Sequence, residues 1–304
     1  EMIRDCLRRI AQVQNPPEIS IAPSPREWHY RSRANWQFDA RTHALGFFER
    51  GSHLVCDVVD CAVLTPELQQ TLAQLRARIP SLPEDLEDLE AAAGDEGVSL
   101  SPALEGFPTA DITRKIGGET YQFNAESFFQ INDQLLERLI AEVTKNARGG
   151  TAVDLYCGVG LFTVALARRF AFVGGVEGNA AAARFARRNL EYARLSNGRI
   201  ATQDVGDWLQ TNAGSFAPID FLLLDPPRSG VEEGVVAGLL DLKPRRIAYV
   251  SCDPATLARD LKELIASGYS LDSVAAFDMF PQTHHVEIVA WLVFKDPHQQ
   301  RSDG

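Results

Sequence analysis

From Ser127 onward the chain alternates apolar, strand-like runs with helix-length amphipathic segments, and this rhythm restricts the fold more than any other feature. It predicts a helix over 127–147, then strand 151–155, helix 161–169, strand 172–176, helix 180–193 and strand 199–202. Strand 219–224, helix 232–240, strand 246–250, helix 254–267 and strands 270–277 and 286–294 follow. Such alternation implies an α/β fold: a doubly wound, mostly parallel sheet with helices on both faces. No internal repeat is visible.

The first part of the chain reads differently. Ile3, Leu7, Ile10 and Val13 recur at helical spacing over residues 3–13. Between Ile19 and Val63 the pattern turns to strands, at Trp28–Arg33, Ala34–Phe38 and Ala44–Phe48. Thr65-Pro66-Glu67 opens a helix to about Ile79, with Thr65 as N-cap and Pro66 at the first position. The acidic stretch 84–97 reads as loop, because Gly94 and Gly97 break it, and strand-like pieces resume over 98–123. The boundary is expected near 115–125, with a smaller β-rich domain over 1–120 and the α/β domain over 121–304. Each is long enough to bury its own core.

Two loops of the α/β part bear ligand chemistry. Val153-Asp154-Leu155 ends a buried strand, and Cys157-Gly158-Val159-Gly160 must then turn sharply into a helix, with Gly158 and Gly160 letting the backbone approach a ligand. Glu177 stands at the tip of the next strand, where an acid accepts hydrogen bonds from ribose hydroxyls. A dinucleotide-binding enzyme shares this much, but the third glycine of that fingerprint is replaced by Thr163. Asp225-Pro226-Pro227-Arg228 follows the fully apolar strand Phe221–Leu224 and makes a rigid loop at the carboxyl edge of the sheet. Enzymes that methylate an exocyclic nitrogen place an aromatic residue after the prolines; Arg228 stands there instead.

Two further groups complete a reaction. Ser251-Cys252-Asp253-Pro254 lies at a strand-to-helix junction, and Glu287 opens a strand after Phe280-Pro281-Gln282-Thr283-His284-His285-Val286. Carbon 5 of a pyrimidine is a poor nucleophile until a thiolate adds to carbon 6, and the methylated adduct must then lose its carbon-5 proton to a base. Cys252 and Glu287 supply those groups, with hydrogen-bond donors or the N-terminus of helix 254–267 favouring the thiolate. An isolated cysteine after a strand is ordinarily a small buried hydrophobe, and Cys157 is read that way, with Cys6 and Cys56 structural or incidental. His284 and His285 read as hydrogen-bonding loop residues.

The two blocks Tyr249–Leu261 and Asp278–Glu287, with the glycine loop and the Asp225 loop, closely resemble the RNA uracil-5-methyltransferase family over about Ile19 to Phe294. The resemblance implies a Rossmann-like class I methyltransferase that uses S-adenosylmethionine to methylate uridine in transfer or ribosomal RNA. It implies Cys252 as nucleophile and Glu287 as proton-abstracting base. Cofactor contacts fall on Gln130, Tyr156, Gly158, Gly160, Glu177, Asp204 and Asp225, and substrate contacts on Asp225 and Arg228. Many relatives carry an N-terminal oligonucleotide-binding barrel and a three-cysteine motif, neither of which is present here; the Glu1-Met2 start fits a fragment lacking N-terminal material. Cys61 looks like the fourth ligand of that family's four-iron four-sulfur cluster, which one cysteine cannot hold, so a cluster is expected only if a missing segment supplies three more.

The net charge of −11 weighs against RNA, because phosphate binding is driven by Lys and Arg. Nine of the acids, however, lie between Ser81 and Thr113, where no basic residue occurs, and basic clusters such as Arg31/Arg33, Arg168/Arg169, Arg187/Arg188 and Arg245/Arg246 lie elsewhere. Trp28, Tyr30, Arg31, Arg33 and Trp36 are expected to form an RNA-facing surface, with a core role the alternative for Trp36 and Phe38. No run approaches the length that crosses a bilayer, and five cysteines, an odd number without compact disulfide spacing, fit a reducing cytoplasm, so the expectation is a cytoplasmic monomer acting on RNA without a protein partner. A carbon-5 cytosine methyltransferase and a non-catalytic RNA-binding or chaperone module are the competing readings.

Overall fold

Ile3 and Leu7 stand one helical turn apart and are both buried, so the opening segment forms helix α1 (Met2–Arg9) with its charged residues outward. The computed structural model describes residues 1–212 and 218–295. The chain divides into two units, Glu1–Ser24 with Glu137–Gly304, and Pro25–Leu136. This differs from a division near residue 120. Strand β1 (Ile19–Ala22) pairs in parallel with a strand near the far end of the chain, Ile19 facing Val274 and Ala22 facing Phe277. A four-residue strand carries no local signal of which sheet it will join.

In the unit Pro25–Leu136, β2 (Arg33–Asp39) buries Ala34, Trp36 and Phe38 on one face. It is the centre of an antiparallel sheet with β3 (Ala44–Phe48), β4 (Val55–Asp57), β5 (Asp88–Ala93) and β6 (Val98–Ser101), in the order β4-β3-β2-β5-β6. Helix α2 (Pro66–Ala77) contributes Leu68, Leu72 and Leu75 to the same core. Strands β7 (Ile112–Ile116) and β8 (Glu119–Phe123) form a separate hairpin.

Three expectations need correction here. The acidic stretch is not loop throughout: β5 pairs on both sides, burying Leu89 and Ala91 while Asp88 and Glu90 point the other way. Tertiary pairing overrides the poor strand propensity of its acids. The strand expected from Trp28 begins only at Arg33, with Arg31 making isolated bridges to Leu64 and Asn132. Thr65 does precede α2, but its side chain makes no cap and its hydroxyl is buried without a partner among the described residues.

The other unit continues with α3 (Leu136–Thr144), shorter than the helix expected over 127–147. Asn124 and Ser127 exchange bonds instead: the Ser127 N–H donates to Asn124 Oδ1 and the Asn124 N–H to Ser127 Oγ, both at 3.1 Å. This local turn competes with helix. Then come β9 (Gly149–Leu155), α4 (Leu161–Ala167), β10 (Phe170–Glu177), α5 (Ala180–Tyr192), β11 (Gly198–Thr202) and α6 (Val205–Asn212), a helix the periodicity did not announce. Strand β12 (Phe221–Leu224), α7 (Val235–Leu242), β13 (Arg246–Ser251), α8 (Pro254–Ala266), β14 (Tyr269–Phe277) and β15 (Glu287–Phe294) complete it.

The eight strands run β1-β14-β15-β13-β12-β9-β10-β11. All pairings are parallel except those of β15, which is antiparallel to β13 and β14. The expected doubly wound sheet is therefore present, and the first half of the chain holds a separate antiparallel sheet. Val153, Leu155, Leu222, Leu224, Ile247 and Tyr249 share one core with Leu257 and Leu261 of α8 and with Ile3 and Leu7 of α1. From β9 the chain moves to β10 on one side and later to β12 on the other. The reversal opens a crevice at the carboxyl ends of these strands.

Candidate active site

The loop after β9 needs unusual backbone: Tyr156, Gly158 and Gly160 all have positive φ, at 64°, 54° and 85°. For a tyrosine this conformation costs about 1–2 kcal/mol, since Cβ crowds the carbonyl. Its phenol donates to a carboxylate oxygen of Glu232, and burial followed by that acid pushes its pKa up. The two glycines differ in kind. A Cβ on Gly160 would sit 3.2 Å from Ala186, so this glycine serves helix packing, whereas a Cβ on Gly158 would meet nothing within 4 Å. The face of the loop at Gly158 is open.

Glu177, half-buried at the end of β10, spans the two loops. Its Oε2 accepts from the Gly158 N–H at 2.8 Å and its Oε1 from the Asn179 N–H at 2.7 Å. A carboxylate has about four acceptor sites, so capacity for hydroxyl donors remains. Beneath it Asp154 is fully buried; Thr163 Oγ1 donates to its Oδ2 at 2.5 Å, while Oδ1 has no partner among the described residues. Burial pushes the Asp154 carboxyl up to about 7. Asp204 is exposed after β11, and its Oδ1 accepts from the Gly206 N–H at 2.8 Å at the start of α6. It is close enough to Tyr156 for its charge to contribute to raising the phenol pKa.

On the other side of the crevice Asp225 follows β12, its N–H donating to the Leu155 carbonyl at 3.4 Å. Burial, then the charge of Asp154, pushes its carboxyl up to about 8. Cys252 follows β13 directly. Burial and then the charge of Glu287 push the thiol up, and the Arg228 guanidinium opposes them. Glu287 is 4% exposed, and burial followed by the charge of Asp225 holds its carboxyl well above the usual carboxylate range, with Arg228 again opposing. Nη2 of Arg228 lies 3.5 Å from His285 Nε2, and the His285 pKa is pushed down by burial and then by that cation. The guanidinium is thus the positive charge common to thiol, carboxyl and imidazole.

At the N-terminus of α8 two backbone donors are already engaged. Asp253 caps it, Oδ1 accepting from the N–H groups of Ala255 and Thr256 at 2.9 Å each. Arg228 is the group that lowers the thiol pKa against burial and Glu287, and a hydrogen-bonded network around buried Asp260 holds its loop. Asp260 Oδ2 accepts from the Tyr249 hydroxyl at 2.6 Å and from the Val231 N–H at 3.3 Å, and Asp260 Oδ1 accepts from Arg259 Nε at 2.7 Å. Arg259 Nη2 donates to the Ser229 carbonyl at 3.1 Å, and the Thr256 hydroxyl donates to the Arg228 carbonyl at 3.3 Å. Gly230, with φ 80°, lies against Arg259 and Asp260 so closely that no Cβ fits.

Eight of the ten expected site residues therefore gather at one sheet edge: Tyr156, Gly158, Glu177, Asp204, Asp225, Arg228, Cys252 and Glu287. Gln130 belongs to the other unit, where it is buried with its carbonyl 3.5 Å from Ser32 Oγ. Cys61 is in that unit too, packed against its apolar core, its N–H donating to Gln69 Oε1 at 3.0 Å. No group of three His, Cys, Asp or Glu side chains that could hold a metal is present among the described residues. The RNA-facing surface expected around Trp36 is corrected: Trp36 and Tyr30 are buried, and Arg33 donates to the carbonyls of Ser127 at 2.6 Å, Ala125 at 2.7 Å and Asn124 at 3.3 Å. Trp28 alone of those aromatics is exposed. Glu232, Arg259 and Asp260 escaped sequence reasoning. Their partners lie in other elements, and no spacing announces them.

The model of the family described as tRNA (uracil-5-)-methyltransferase matches residues 113–295. The chain is 33% identical to a 23S rRNA (uracil(1939)-C(5))-methyltransferase RlmD of Pectobacterium atrosepticum, over 89% of this chain and 68% of that one. It is also 33% identical to the RlmD of Pseudomonas putida, over 93% and 72%. Among solved structures it resembles the Pyrococcus abyssi tRNA (uracil-54, C5)-methyltransferase in complex with S-adenosyl-L-homocysteine, with a TM-score of 0.73 and 26% identity, covering 96% of this chain and 82% of that one.

Proposed function

We propose, from the premise that this chain belongs to the tRNA (uracil-5-)-methyltransferase family, that it methylates uridine through a covalent adduct on Cys252. The chain is an S-adenosylmethionine-dependent RNA uracil-5-methyltransferase. What supports the covalent route is one observation: Cys252 follows β13 and Glu287 opens its antiparallel neighbour β15 at the same sheet edge, both under the charge of Arg228.

Three features suit S-adenosylmethionine. The loop at Gly158 has an open face, Glu177 is pinned beside it with acceptor capacity left, and the desolvated carboxyl of Asp225 favours a nearby cation. S-adenosylmethionine supplies an electrophilic methyl group on a positively charged sulfur. We assign Glu177 to the ribose hydroxyls, Asp204 to the adenine side, and Tyr156, Gly158, Gly160 and Asp225 to further contacts. Arg228 and Asp225 face the uracil.

Arg228 favours loss of the Cys252 proton, and the thiolate Sγ bonds to carbon 6 of uracil. The electron pair of the 5,6 double bond then resides on carbon 5 and the adjacent carbonyl, and carbon 5 takes the methyl group as the methyl–sulfonium bond breaks and its pair stays on sulfur. Glu287 accepts the carbon-5 proton. The double bond re-forms as the Sγ–carbon 6 bond breaks, returning the thiolate. Burial suits Glu287 for this, because a desolvated carboxylate is a stronger base than one in water.

The higher identity to the 23S rRNA enzymes makes ribosomal RNA the substrate we favour over transfer RNA. No helix among the described residues is long and apolar enough to cross a membrane. We place the activity in the cytoplasm with its RNA, as five free cysteines suggest. Methyl incorporation into uracil-containing and cytosine-containing RNA tests the reading. Wild type should label only the uracil RNA and Cys252→Ala neither, while retaining S-adenosylmethionine binding. Labelling of cytosine, or turnover by Cys252→Ala, overturns it.

A further inference from the structure

The acidic balance of this chain reverses on α5 and the turn into β11. Between Arg184 and Arg199 stand five arginines and a single acid, Glu191, within a chain of net charge −11. All five arginines are exposed, and so is Tyr192 between them. Three of the arginines, Arg187, Arg194 and Arg199, line a groove of about 630 Å³ together with Leu190, Glu191 and Ile200. The strand it flanks, β11, ends the sheet, so no further strand covers that rim.

A run of arginines on a helix is ordinarily a solvated face. Two features set this one apart. Arg187 and Arg199 are held in place by the backbone: Arg187 Nη2 donates to the Ile200 carbonyl at 3.0 Å, and Arg199 Nη1 donates to the carbonyls of Ser196 and Gly198 at 2.9 Å each. These bonds use one nitrogen of each guanidinium, which carries five N–H donors, so capacity remains on a side chain whose freedom is already reduced. The groove also begins where β11 begins, at Gly198 and Arg199, whereas Glu177, Asp225 and Cys252 lie at the carboxyl ends of their strands. Its Gly198–Arg199 end therefore stands at the edge of the sheet opposite the crevice, while Arg187, which also donates to the Thr202 hydroxyl, reaches toward the carboxyl end of β11.

We propose that this groove binds the sugar–phosphate backbone of the substrate RNA at a distance from the target uridine. The inference rests on RNA being the substrate, as argued above. A polyanion approaching an acidic protein is attracted only where the local field is positive, and fixed guanidinium groups suit phosphate oxygens by charge and by fork geometry. The enzyme then favours long structured RNA over short oligonucleotides that reach only the crevice.

Binding to deproteinised ribosomal RNA over a range of salt, with wild type and a variant carrying Arg187→Gln, Arg194→Gln and Arg199→Gln, tests this. The variant should bind on the order of tenfold more weakly at moderate salt, with the slope of log affinity against log salt reduced by about 2–3. Its kcat and KM for a short uridine oligonucleotide should be unchanged, which guards against misfolding. Glu191→Gln should tighten binding to the ribosomal RNA. An unchanged salt slope, an equal loss on the short oligonucleotide, or weaker binding by Glu191→Gln overturns the proposal. Failure of uracil methylation itself would appear as absent turnover on the oligonucleotide, separate from the salt slope.

Discussion

Ser251 at the end of β13 pairs with Ile288 of β15, so Cys252 and Glu287 are the next residues along two antiparallel strands. Directly opposed residues of such a ladder lie about 5 Å apart, which brings thiol and carboxyl to the same edge. Had β15 run parallel, like most of this sheet, a residue at its start would stand at the opposite edge. The single reversed strand is what joins the two groups.

Glu287→Gln should give the clearest phenotype. Thiol attack and methyl transfer precede proton removal, so both can occur without the carboxylate, and elimination then stalls. A protein–RNA complex stable to denaturing electrophoresis should accumulate with ordinary uridine RNA, dependent on S-adenosylmethionine and on Cys252. Loss of activity with no trapped complex would remove Glu287 from this step, and full activity would point to His285.

Glu177→Ala should weaken S-adenosylmethionine binding ten- to a hundredfold, from loss of a charge-assisted hydrogen bond worth about 1.5–3 kcal/mol. The same change frees the Gly158 and Asn179 N–H groups that the carboxylate now satisfies, loosening both loops. Calorimetry showing wild-type affinity would contradict the assignment.

The buried acids make stability depend on pH. Asp154 and Asp225 have folded pKa values raised to about 7 and about 8 from a reference of 3.8, so the folded state holds these protons more tightly. Their contribution is full below about pH 4 and is lost as pH rises through about 8. Urea midpoints should fall between pH 5 and 8, less steeply for Asp225→Asn. Binding of S-adenosylmethionine should release a proton near neutral pH, because a sulfonium favours ionised Asp225; calorimetry in buffers of different ionisation enthalpy measures it. Equal pH profiles for wild type and Asp225→Asn would count against the assignment.

Arg33→Ala should destabilise the unit Pro25–Leu136 by about 2–4 kcal/mol, since it leaves three backbone carbonyls short of a donor. The salt slope of RNA binding should not change, because the guanidinium is already engaged. A changed slope with unchanged thermal stability would return Arg33 to an RNA-facing role.

Much of this protein was legible in its residues. The alternation after Ser127 specified a doubly wound sheet, because strand and helix periods are local properties of which face is buried. Gly158, Glu177, Asp225 and Cys252 announced a crevice because special backbone and reactive side chains are written at fixed offsets from strand ends. Only tertiary structure decided how these groups are charged and held. Arg228 reaching Cys252, Tyr156 held by Glu232, and Asp260 joining Tyr249 to the loop at Val231 all link elements distant in the chain. The same holds for the acidic strand β5 and for the buried Arg33: hydrogen bonds made in three dimensions outweighed the local preference for exposure. Periodicity reports burial, and partners across a fold have no period.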